Sequence, residues 1–152
     1  MVEVQAHGAQ DVTDMAWAVS DPIATDITCN AQWVLPAIQE ILDANLMLTF
    51  TPGDVYAACE SGAATLWTTE HGFVVTTGET DTFTGERTML IWLAWAYKQG
   101  MNLVAKHQDF FAEQARQQGF VKMEVRSAVP ELKDYILSQG WELDTIVYTR
   151  EV

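Results

Sequence analysis

No lysine or arginine occurs before Arg87. Residues 1–86 carry thirteen of the twenty-one acids, a formal charge of −13, and the remaining eight acids are balanced by all eight bases. Such an acidic stretch repels nucleic acid and anionic membrane. Two readings of it stay open: solubility, or docking onto a basic protein surface. Cysteine is scarce as well. Cys29 and Cys59 lack CxxC spacing and have no histidine nearby, so they read as free, buried thiols in a reducing compartment. The three histidines, His7, His71 and His107, are scattered, with no carboxylate at ligand spacing, and no metal site is expected. No apolar run approaches the roughly 18–20 residues of a membrane span. The opening "MVEVQAHGAQD" has neither a basic nor an apolar signal region, so secretion is not expected.

What is present suits one globular domain: 152 residues, 49% apolar and 19% charged. Met1–Gln5 reads as a short edge strand. Asp11–Ser20 reads as a short helix with an acidic first turn, ended by Asp21-Pro22. Asn30–Asn45 carries an apolar stripe at helical spacing, with Asn30 as cap and Pro36 inside. Thr51-Pro52-Gly53-Asp54 is a strong start signal for a helix ending near Gly62. Ala64–Thr69 and Phe73–Thr77 flank the turn Glu70-His71-Gly72 as a hairpin. Gly78–Gly85 reads as a polar loop. Arg87–Tyr97, "RTMLIWLAWAY", has the nearly unbroken apolarity of a strand buried on both faces. Trp92 and Trp95, three apart, are expected on opposite faces. Then come a helix over Leu103–Gln118, a strand over Val121–Ala128, a helix over Pro130–Gln139 and a final strand over Leu143–Glu151. The β-α-β-α-β order predicts an α/β (α+β) fold with a mixed central sheet flanked by helices. One domain spans 1–152: a helical part (1–62), a hairpin with the long strand (63–97), and a helix-strand-helix-strand part (98–152).

The second half, with "ARQQGFVKMEVRSAVPELKDYILSQGWEL", resembles the GNAT superfamily of N-acyltransferases. Ala115-Arg116-Gln117-Gln118-Gly119 stands where that family ends its long helix, and Val129-Pro130 through Gly140-Trp141 where it places an N-P-x-A-x-x-x-Y segment. The resemblance implies that the backbone around Leu93 and Trp95 aligns the acyl-CoA pantetheine. It also implies that Gln99, Gly100, Asn102 and Val104 meet the pyrophosphate. The family's Q/R-x-x-G-x-G/A loop here begins with Gln99, but Asn102 and Val104 replace its two small residues. Side chains there take space the diphosphate needs. The family's general acid, a tyrosine, falls at Ile136. Tyr135 lies one residue and about 100° away round the helix and is the candidate acid. Glu79, in the loop before the long strand with Asp81 and Glu86, is the candidate base. These departures suggest a degenerate member with no cofactor, working through protein contacts with a partner of basic surface. They resemble small bacteriophage proteins of the virion interior, which implies a virion or cytoplasmic location. The alternative is an acetyl-CoA-dependent N-acyltransferase with an unusual loop. Calorimetric titration with acetyl-CoA separates the two.

Overall fold

The computed structural model describes residues 2–3 (backbone), 20–98, 100–126 and 132–152. The expected helix over Asp11–Ser20 lies outside them, apart from Ser20. Six strands form one mixed sheet: β1 (Val2–Glu3), β2 (Ile23–Thr25), β3 (Ala64–Thr69), β4 (Gly72–Thr80), β5 (Arg87–Ala96) and β6 (Lys122–Val125). Strands β2, β3, β4 and β5 pair antiparallel in that order, while β1 and β6 both run parallel to β5. The helices are α1 (Ala31–Ala44), α2 (Pro52–Ser61), α3 (Leu103–Lys106), α4 (Gln108–Gln117) and α5 (Lys133–Ser138). None of the helices is long and apolar enough to cross a membrane, among the described residues.

Helix α2 starts where its sequence says it should. Thr51 Oγ1 accepts the Asp54 N–H at 3.1 Å and Asp54 Oδ2 accepts the Thr51 N–H at 2.9 Å, with Pro52 in the first turn. Helix α1 starts on time but by another route. Asn30 makes no side-chain cap; its amide donates to the Asp26 carbonyl and its Oδ1 accepts from Trp33 Nε1. Pro36 sits inside α1 without ending it.

Both faces of the sheet are covered, which explains the apolarity of β5. On one face Phe73, Val75 and Leu93 pack with Val34, Ile38, Ile41 and Val55 of α1 and α2. On the other, Val74, Met89, Ile91 and Ala94 pack with Leu103, Val104, Phe111 and Ala115 of α3 and α4. The buried Trp67 Nε1–H donates to Thr76 Oγ1 at 2.9 Å across this second layer.

Several expectations need correction. The polar loop is shorter than its composition suggests, because β4 continues through Gly78, Glu79 and Thr80, paired to β5. The single helix over Leu103–Gln118 is two helices, broken at His107, whose backbone (φ −113°, ψ 18°) leaves the helical region. The final strand over Leu143–Glu151 is not a strand. Residues 141–152 have no regular structure, and Ile146, Val147 and Tyr148 are exposed, because an alternating pattern makes a strand only where a neighbour pairs with it. The short edge strand expected within Met1–Gln5 is present over Val2–Glu3, at the end of the strand order beside β5. Cys29 is exposed rather than buried, whereas Cys59 is partly buried and its thiol is pushed up to about 11 by that burial.

Candidate functional site

The middle of β5 is where its two edges part company. Strand β4 covers one edge along the whole length, from Gly72 opposite Ala96 to Thr80 opposite Arg87. On the other edge β6 pairs only Lys122–Val125 with Thr88–Ile91 and then leaves. At that height the β4 register slips: Val75 faces Leu93 but Thr76 faces Ile91. Trp92 is therefore the extra residue of a β-bulge. The bulge resets the alternation, so Trp92 and Trp95 point into the same layer rather than opposite ones. Trp92 packs on Phe50 (5.2 Å between centroids), and Trp95 stacks on Phe73 (6.0 Å). Above the bulge, the edge that β6 vacates is taken by β1: Val2 pairs with Leu93 and Glu3 with Ala94, in parallel. The gap between β5 and β6 thus holds a strand of the chain itself.

The loop after β5 contains Gly100, Asn102 and Val104; Gln99 lies outside the described residues. Gly100 has φ +88°, a left-handed conformation that glycine adopts without strain. Asn102 is extended and buried, and its Oδ1 accepts the Ala105 N–H at 2.9 Å. It therefore satisfies one of the amide groups that α3 would otherwise offer outward. Val104 was expected to crowd a mouth, yet it is turned inward, 5% exposed, into the core beside Phe111. Of the two bulky residues, only Asn102 bears on the loop's N–H groups.

The candidate acid and base are placed apart from that loop. Glu79 faces Thr88 at the lower end of β5, five residues below Leu93 and so roughly 16 Å away along the strand. Its Oε2 accepts from Arg126 Nη2 at 2.6 Å, and Arg126 also donates to Glu124 at 2.9 Å. The Glu79 hydrogen bond, opposed by desolvation and aided by Glu124, pushes the guanidinium pKa up. Tyr135 is on α5, half-buried, where its carbonyl accepts from Ser138 Oγ at 2.6 Å. His107, at the break between α3 and α4, has its pKa pushed down by burial, against the pull of Asp21 and with help from Lys106 and His71. Among the described residues, no three His, Cys, Asp or Glu side chains converge as a metal site. A separate cavity of about 220 Å³, lined by Thr65, Thr76, Thr77, Arg87 and Gln118, opens at the lower end of the sheet.

One further group is aromatic. Trp33 of α1, Phe73 of β4 and Trp95 of β5 form an aromatic cluster with Tyr97, which follows β5. Trp33 and Tyr97 stack at 5.9 Å, and Trp95 meets Tyr97 edge-on at 4.9 Å. Trp95 Nε1 is buried with no hydrogen-bond partner among the described residues. Trp95, near the end of β5, and Tyr97, just beyond it, are two apart in the chain. What brings Phe73 to them is the hairpin register, and what brings Trp33 is the packing of α1.

Compared whole, this arrangement matches solved acetyltransferases. One is a crystal structure of a probable acetyltransferase: TM-score 0.69, 14% identity, 88% of this chain and 99% of that one covered. Another is the ribosomal-protein-alanine N-acetyltransferase of Brucella melitensis biovar Abortus 2308, at TM-score 0.64 and 16% identity, covering 87% and 98%. A third is the glucosamine-6-phosphate N-acetyltransferase of Arabidopsis thaliana, at 0.61 and 11%, covering 86% and 97%. The chain has the GNAT fold. No family model matches it, and no curated protein matches it by sequence. In this chain β5 and β6 are the parallel pair that parts after Ile91, and Gly100–Val104 follows the long strand.

Proposed function

We propose that this GNAT-fold chain is non-catalytic and acts through protein contacts, its acyl-carrier channel closed by its own polypeptide. The observation that carries this reading is the pairing of Val2–Glu3 with Leu93–Ala94. That edge is the one the family resemblance gives to the pantetheine arm. Two further observations support it. Asn102 already accepts the Ala105 N–H that a diphosphate would seek, and Glu79 is clasped by Arg126 far down the strand. In this arrangement the residues present do not fit an acyl-CoA. The acidic first half suits a partner with a basic surface. Isothermal titration with acetyl-CoA is the test: no binding is expected up to millimolar ligand, and a low-micromolar affinity would contradict the reading. A second reading, an acetyl-CoA-dependent N-acyltransferase, is favoured by the parting of β5 and β6 after Ile91 and by the left-handed Gly100 between Lys98 and Lys106.

A further inference from the structure

We propose that the β5 edge at Leu93–Ala94 is a strand-acceptor site. Val2–Glu3 is its resident occupant, and an extended basic segment of a partner protein replaces it as a parallel strand. This rests on the protein-contact reading and names the chemistry of the partner at that same site.

Three features define the acceptor. The backbone N–H and C=O groups of an open strand edge demand partners, and an extended chain supplies them at matching spacing. The site has a floor and a fixed direction: β6 ends at Val125 opposite Ile91, the Trp92 bulge lies just above, and the resident strand runs parallel to β5. The resident is also short. Two residues make few ladder hydrogen bonds, so a longer strand laid along the same edge outcompetes it without opening the fold.

Charge selects among extended segments. Farther down β5, Arg126 is shared by Glu79 and Glu124, which leaves that triad one negative charge in excess. The resident strand carries Glu3, and the first 86 residues carry thirteen acids and no base. A lysine or arginine in place of Glu3 exchanges a negative for a positive charge within this acidic half of the chain and gains attraction at low ionic strength.

The test uses the 152-residue protein carrying Val2→Pro and Glu3→Pro, which removes two backbone donors from β1, with Glu3→Pro alone as the milder variant. Amide hydrogen exchange is followed at Leu93, Ala94 and Trp95. The probes are the peptide MVEVQAHG and the same peptide with Glu3→Lys. Exchange at those amides should rise at least tenfold in the double variant. Either peptide should restore protection, the lysine peptide at lower concentration and with an advantage that shrinks in salt. Unchanged exchange in both proline variants, or no protection by either peptide, overturns the acceptor site. Equal potency of the two peptides overturns the basic partner. If acetyl-CoA protects these amides and the peptides do not, the slot is an acyl-carrier site, and the protein-contact reading falls with the inference.

Discussion

Gly72 is the residue at which the sheet tolerates least change. It begins β4 opposite Ala96 at φ +153°, and a Cβ there would lie 2.0 Å from the Trp95 carbonyl oxygen. The obstacle is backbone of the neighbouring strand, so neither rotamer change nor side-chain movement relieves it. Gly72→Ala should lower stability by roughly 3 kcal/mol, read as a shift of the urea midpoint. His107 makes a different kind of contribution. Its folded pKa lies below the ordinary 6.5, chiefly through burial, so the unfolded chain takes up the proton first as pH falls. The stability it protects is intact above about pH 6.5 and is lost as the pH falls from there toward the folded value. Wild type should therefore lose more stability between pH 7.5 and 5.5 than His107→Gln, as measured by urea unfolding at each pH. Equal losses would show that other groups carry the pH dependence.

At the scale of elements, the short helix α3 depends on its cap. Asn102→Ala removes the acceptor for the Ala105 N–H and should cost about 1 kcal/mol in chemical denaturation. Elements with local signals were legible in advance. The Thr51–Asp54 box, the glycine stop at Gly62, the β3–β4 hairpin and the apolar run of β5 each depend on residues a few positions apart. Features set by distant partners were not. The Trp92 bulge exists only in the register with Val75 and Thr76, and it overturned the expectation that Trp92 and Trp95 diverge. The tail from Leu143 has the alternation of a strand and, among the described residues, no strand beside it. His107 ends α3 although its neighbours continue the helical stripe.

At the scale of the whole molecule, the crossover from β5 to β6 was foreseeable from element order, because a parallel pair needs a helical connection. The site was only half legible. Motif spacing led to the β5 edge and the Gly100–Val104 loop. It misjudged Val104, which serves the core, and it put Glu79 in a loop when that residue belongs to a strand and an ion triad. Nothing in the sequence announces that Val2–Glu3 lies along Leu93–Ala94, since such pairing leaves no pattern in five residues. The charge asymmetry, by contrast, was plain from composition. Whether the channel is closed can be read directly from the backbone amides of Leu93, Ala94 and Ala105 in a heteronuclear NMR titration with coenzyme A. Closure predicts that these three resonances stay where they are up to millimolar ligand. Saturable shifts at all three in the low-micromolar range would mean that the nucleotide enters and the strand yields.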